Sequence, residues 1–145
     1  MQKTVVKAVY LYSHDPIYAS LCVWRAAAKM IYEIGVPTIT PLHLGAVGYG
    51  PLAFSTIRYA VHFLIKARLP KWSVALLECQ GIDRVLPLPL QLDGLWVHYP
   101  GGHTMRTCED WPWPKGTHMY RSLLPIREIP RIEWEDLYDE YEENR

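Results

Sequence analysis

The chain has 145 residues, 50% of them hydrophobic, 12% aromatic and 21% charged, which excludes a disordered polymer and suits one domain with a real core. Fifteen basic residues meet fifteen acidic ones, so the formal net charge is zero. No apolar run approaches the roughly 18 residues that a membrane-spanning helix needs. The first residues lead into a strand without the pattern of a signal peptide, so the expected compartment is the cytosol.

The neutral total hides a polar distribution. Seven acidic residues (Glu133, Glu135, Asp136, Asp139, Glu140, Glu142 and Glu143) crowd the last thirteen positions, where Arg145 is the one base. Residues 1–132 therefore carry eight acids against fourteen bases. Such a tail is a solvated end or a cover for a basic face of its own chain or of a second copy. The three cysteines, Cys22, Cys79 and Cys108, form no C-x-x-C and no disulfide framework, and Cys22 and Cys79 read as small buried hydrophobes. Abundant Trp, Tyr and Pro with little Asn is the usage of a heat-adapted protein.

In chain order, Val5–Tyr12 is apolar and β-branched with weak alternation, the reading of an interior strand covered on both faces. Ser13-His14-Asp15-Pro16 breaks it, with Asp15 as N-cap and Pro16 at the first helical position. Leu21, Trp24, Ala27, Ala28, Ile31 and Ile34 then recur at helical spacing, and Gly35 is the stop. Val36–Leu44 returns as a second strand, kept short or at an edge by Pro37 and Pro41. Gly45, Gly48 and Gly50 make a loop, and residues 51–68 a second helix with Phe54, Ile57, Val61, Leu64 and Ile65 as its buried stripe. His62, one step off that stripe, reads as a boundary histidine. Trp72–Cys79 is a third strand, and residues 80–83 a turn.

Arg84–Leu92 and Leu95–Tyr99 flank Asp93-Gly94, the pattern of a hairpin with an edge strand. From Pro100 to Arg131 periodicity disappears; five prolines with Trp111 and Trp113 suggest an extended arm lying on the body or on a partner. Glu133–Glu143 is a helix whose Trp134, Leu137, Tyr138 and Tyr141 share one face. The expected fold is thus a single α/β domain of two or three layers, βαβαββ. Its sheet is mostly parallel with an antiparallel edge hairpin. Residues 1–100 form the core domain, 101–132 the arm and 133–145 the acidic amphipathic tail helix.

A βαβ unit puts Ser13, His14, Asp15 and His43 at the carboxyl ends of two neighbouring strands, where open α/β sheets bind ligands. With Gly45 and Gly48 they form the candidate site for a nucleotide- or nucleoside-like molecule, the helix N-terminus favouring an anion. The bland alternative leaves Asp15 as a cap and His14 in solvent. The glycine loop matches neither G-x-G-x-x-G nor a P-loop, no redox pair or G-x-S-x-G elbow is present, and no cofactor is expected. His98, His103, Cys108 and His118 are the residues left for a zinc staple in the arm, at spacings that match no standard pattern. Arg106, Lys115, Arg121, Arg127 and Arg131, among Trp111, Trp113 and Tyr120, offer a surface for stacking single-stranded bases.

AVYLYSHDP, RAAAKMIYEIG and VPTITPLHL, within residues 8–45, resemble the opening of the nucleoside 2-deoxyribosyltransferase-like family, which implies a Rossmann-like fold and a nucleoside ligand. Where that family carries its catalytic glutamate on a helix, this chain has RVLPLPLQLDG, so no catalytic residue carries over. Gln80–Gly101 is similar to the thioredoxin-like pattern, with Pro87 in the place of its cis-proline; SHDPIYAS stands where the redox pair would be, which implies a binding or assembly module. Two functions follow: a small-molecule site with or without catalysis, or a non-enzymatic module pairing with itself or a macromolecule. The arm and tail are expected to make a homo-oligomer, because their aromatic surface otherwise faces water.

Overall fold

The computed structural model describes residues 3–12, 17–20, 22–24, 31–39, 51–85, 95–98, 104–107 and 116–144. Their strands are β1 (Lys3–Tyr12), β2 (Ile17–Ser20), β3 (Cys22–Trp24), β4 (Ile31–Tyr32), β5 (Leu52–Phe54), β6 (Val74–Val85), β7 (Leu95–His98), β8 (Thr104–Thr107) and β9 (Thr117–Glu128). The helices are α1 (Ile57–Lys66) and α2 (Glu135–Glu143).

β1 is the axis of the fold. Successive side chains on a strand point to opposite faces, and here both faces are buried. Val5 and Val9 pack with Tyr18, Tyr32, Ala53, Ala75, Leu77, Cys79, Tyr120 and Leu123. Val6, Ala8 and Tyr10 pack with Leu76, Val74 and the inner faces of the helices. The first set fills a closed barrel and the second lies between barrel and helices. Closure runs from β1 to β6 (Lys3 opposite Gly81 through Tyr10 opposite Val74), from β6 to β9, from β9 to β5, and from Phe54 of β5 back to Val6. Every pairing is antiparallel.

A second route closes the other end. β1 also pairs with β2, and β2 with β4; the chain then turns at Ile34–Gly35 and reaches β9. Gly35 N–H donates to Pro125 O and Thr38 N–H to Leu123 O, both at 2.8 Å, while Leu123 N–H donates to Thr38 Oγ1 at 2.8 Å. β3, β7 and β8 form a separate three-stranded sheet.

The mostly parallel α/β architecture is therefore overturned, and with it the Rossmann-like fold that the first resemblance implies. Among the described residues no crossover helix joins β1 to a parallel neighbour; Ile17–Ser20, Cys22–Trp24 and Ile31–Tyr32, within the expected helix, are strands. Ile17, Tyr18, Val23, Trp24, Ile31 and Tyr32 are β-branched or aromatic, and such side chains suit a pleated surface. The third strand is real, but antiparallel to β1, and it runs through the expected turn to Val85. Of the expected hairpin, Leu95–His98 pairs with β3 and β8, while Arg84 and Val85 pair with β9. Asp93, Gly94 and Pro87 lie outside the described residues. Thr117–Glu128, placed by the sequence in the arm, is a twelve-residue barrel strand.

Both remaining helices sit where periodicity put them. α1 is shorter than expected because Leu52–Phe54 is drawn into the barrel, Pro51 O accepting from Tyr120 N–H. Thr56 caps it, its side chain accepting from Tyr59 N–H at 3.2 Å. α2 buries Trp134 and Tyr138 against its own chain, and the Tyr138 hydroxyl donates to Leu69 O at 2.7 Å. The aromatic face of the tail is thus accounted for within one copy. Among the described residues no helix is long and apolar enough to cross a membrane.

Candidate functional site

Ser13, His14, Asp15, His43, Gly45 and Gly48 lie outside the described residues. Among the described residues β1 has β2, β5 and β6 as neighbours, all antiparallel, so the parallel neighbour expected beside it is not among them. Of the zinc alternative, His103 and Cys108 lie outside the described residues, and His98 stands opposite Thr104 in β7. His118 is on β9, opposite Ala53 of β5. Among the described residues no group of three or more His, Cys, Asp or Glu gathers around a common point. Of the residues proposed for stacking bases, Trp111, Trp113 and Lys115 lie outside the described residues, and two of the arginines are engaged. Arg127 pairs with Glu78 and Glu133, and Arg131 pairs with Glu135 while donating to Lys71 O and Val74 O. Tyr120 is buried.

The Cys79 thiol is not a ready nucleophile. Cys79 is fully buried, and burial pushes its thiol up to about 12, outweighing the opposing field of Lys7. Lys7 is itself buried, its ammonium donating to Leu52 O at 2.5 Å and lying 5.6 Å from the centre of the Tyr32 ring.

What the fold does assemble was invisible in the sequence. Lys3 begins β1 opposite Gly81 of β6; Arg84 of β6 stands opposite Tyr120 of β9; His118 is two residues before Tyr120. The Tyr120 ring lies across Gly81, where a Cβ would fall 2.4 Å from Tyr120 Cε1. Only glycine admits the ring so close to the strand. Tyr120 is 2% exposed, and among the described residues its hydroxyl has no hydrogen-bond partner. An unanswered buried hydroxyl is costly, about 1–3 kcal/mol, and marks a place where a ligand acceptor would be welcome.

Electrostatics identify the kind of acceptor. Burial lowers the pKa of His118, and the positive charges of Arg84 and Lys3 lower it further. Burial raises the Tyr120 phenol, with Arg84 opposing. Arg84 thus bears on both groups, and Lys3 on one. Lys3 and Arg84 are exposed, and among the described residues neither forms an ion pair. The nearby Asp83, at a left-handed φ of 51°, is 4.0 Å from Arg121. Three basic groups from three strands and one neutral donor therefore share this end of the barrel. No family model matches the chain, and no curated protein or solved structure matches it either.

Proposed function

We propose that the chain is a binding protein for a phosphate-bearing small molecule, a nucleotide, held at the end of the barrel by Lys3, Arg84, His118 and Tyr120. The observation that carries this reading is the buried Tyr120 hydroxyl, which lacks an acceptor among the described residues beside basic groups that lack carboxylates. Phosphate answers each deficit at once. Its oxygens accept from the phenol, and its charge offsets the fields of Arg84 and Lys3 that, after burial, lower the pKa of His118. Hydrogen bonds to charged groups contribute about 1.5–3 kcal/mol each, so three strong ones approach the roughly 8 kcal/mol of micromolar binding.

Calorimetry with a nucleoside triphosphate, the matching nucleoside and a short single-stranded oligonucleotide tests the reading. The triphosphate is expected to bind and the nucleoside to bind at least tenfold more weakly, with Lys3→Gln and Arg84→Gln each weakening the triphosphate. Equal binding of nucleotide and nucleoside, or a triphosphate affinity indifferent to both substitutions, would refute it. Preference for the oligonucleotide would replace a small ligand by a strand.

A further inference from the structure

A second surface lies on the two helices. The exposed residues along α1 are Arg58, His62 and Lys66, spaced at i, i+4 and i+8, and Arg68 follows at the helix end. At 1.5 Å per residue this basic row is about 12 Å long. α1 carries no acid. The exposed residues Asp136, Glu140 and Glu143 make a row of similar length along α2. The helices touch through His62 and Tyr141, whose rings are 5.8 Å apart. Between them runs an open groove of about 500 Å³, lined by Ile65, Tyr141 and Asn144 with three of the bases and no acid.

Pairing within the chain leaves these two rows over. Lys71 holds Asp139 at 2.6 Å, and Arg131 lies 3.4 Å from Glu135, both on the other flank of α2. Among the described residues, Arg58, Lys66 and Arg68 make no ion pair, and neither do Asp136, Glu140 and Glu143. One flat face thus carries a positive row and a negative row side by side. A polyanion on the positive row would lie beside the negative row of the neighbouring helix and would be repelled by it.

We propose that this face docks on the same face of a second copy. In an isologous pair the surface must complement itself. A two-fold axis lying in the interface along the groove exchanges the rows, setting each copy's Arg58, His62 and Lys66 against the other's Asp136, Glu140 and Glu143. An axis across the groove would oppose like charges, so the charge pattern selects one orientation. Two short helices present only a few hundred Å² per copy, well below the roughly 800 Å² of a standard interface, so the dimer is weak and salt-sensitive. This inference does not depend on the ligand proposed above.

Sedimentation velocity of the full chain at high micromolar concentration tests it. Wild type is expected to dimerise in low salt and to dissociate in high salt. Arg58→Glu with Lys66→Glu gives a chain with two negative rows; Asp136→Lys, Glu140→Lys and Glu143→Lys give one with two positive rows. Each is expected to be monomeric alone and to dimerise when mixed with the other. Arg58→Gln with Lys66→Gln, expected to weaken the dimer at least tenfold, stands in if a reversed chain melts without cooperativity. A wild type that stays monomeric in low salt overturns the proposal, including one that captures an oligonucleotide through Arg58 and Lys66. So does a charge-reversed chain that still self-associates, or a mixture that does not.

Discussion

Replacing Gly81 by alanine tests the packing on which the candidate site stands. The new Cβ would lie 2.4 Å from Tyr120 Cε1, 2.6 Å from Cδ1 and 2.8 Å from Cζ, against one edge of the ring. Ordinary carbon contacts begin near 3.5 Å, so the ring must retreat by about 1 Å. Its retreat displaces neighbours, since Tyr120 is 2% exposed and packs with Leu123, Leu77 and Cys79. Overpacking of this kind costs about 1–3 kcal/mol, which for a chain of this size lowers Tm by about 3–10 °C. Gly35→Ala is the control: nothing lies within 4 Å of its Cβ, and its cost of about 1–2 kcal/mol comes from the positive φ alone. The assay is urea unfolding of Gly81→Ala in wild-type and Tyr120→Leu backgrounds. With the ring gone the clash goes too, so the two substitutions should couple by about 1–3 kcal/mol. A Gly81→Ala penalty of the same size in both backgrounds would show that the ring does not lie across β6.

Four further outcomes follow from titration and burial. Because the pKa of His118 is lowered in the folded chain, the unfolded chain takes up its proton first; stability should fall as pH drops below 6.5, and His118→Asn should flatten that fall. An NMR titration should place His118 below 6.5 in the free protein and move it upward with a nucleotide bound; no movement would detach His118 from the site. Cys79, raised from 9.0 to about 12, should contribute fully below pH 9 and lose its contribution as pH rises toward 12. That amounts to on the order of 4 kcal/mol, read as the difference in unfolding free energy between wild type and Cys79→Val across that window. Trp134 is 1% exposed at the start of α2, so Trp134→Ala should cost about 3–5 kcal/mol in chemical unfolding, and a loss under 1 kcal/mol would mean that α2 is not docked.

Burial was legible in the sequence, but strand direction was not. Val5–Tyr12 reads as a strand covered on both faces, and it is one: Val5 and Val9 face the barrel interior, Val6 and Ala8 the helices. The same pattern marks a central parallel strand, because periodicity records how many faces are covered and not by what. A small barrel with helices on its outer wall buries β1 as thoroughly as a doubly wound sheet does. The error over residues 15–34 has a similar source. Ile31 and Ile34 fit the helical stripe with Leu21, Trp24 and two alanines, yet Ile31 pairs with Ala19 as a strand residue and Ile34 stands at a turn. Gly35, read as the stop of that helix, lies instead in a turn between Glu33 and Val36, at a φ of 83°. The tail helix and α1 were legible because their spacing is unambiguous and nothing β-branched competes on the polar face.

The candidate site was hidden for a different reason. Lys3, Arg84, His118 and Tyr120 are separated by up to 117 positions in the sequence, and no motif links them. Each had a bland local explanation: a residue before the first strand, the start of a hairpin arm, two members of an extended arm. What unites them is register, Lys3 opposite Gly81 and Arg84 opposite Tyr120. A one-residue slip of β6 against either neighbour would send these side chains to the other face and dissolve the cluster. Gly81 is the one local signal that might have been weighed differently. A glycine inside an apolar strand marks close approach of another group, and here that group is the ring of Tyr120. The residue taken for a turn is the one that lets the barrel hold its tyrosine against the strand, with the hydroxyl left waiting for an acceptor.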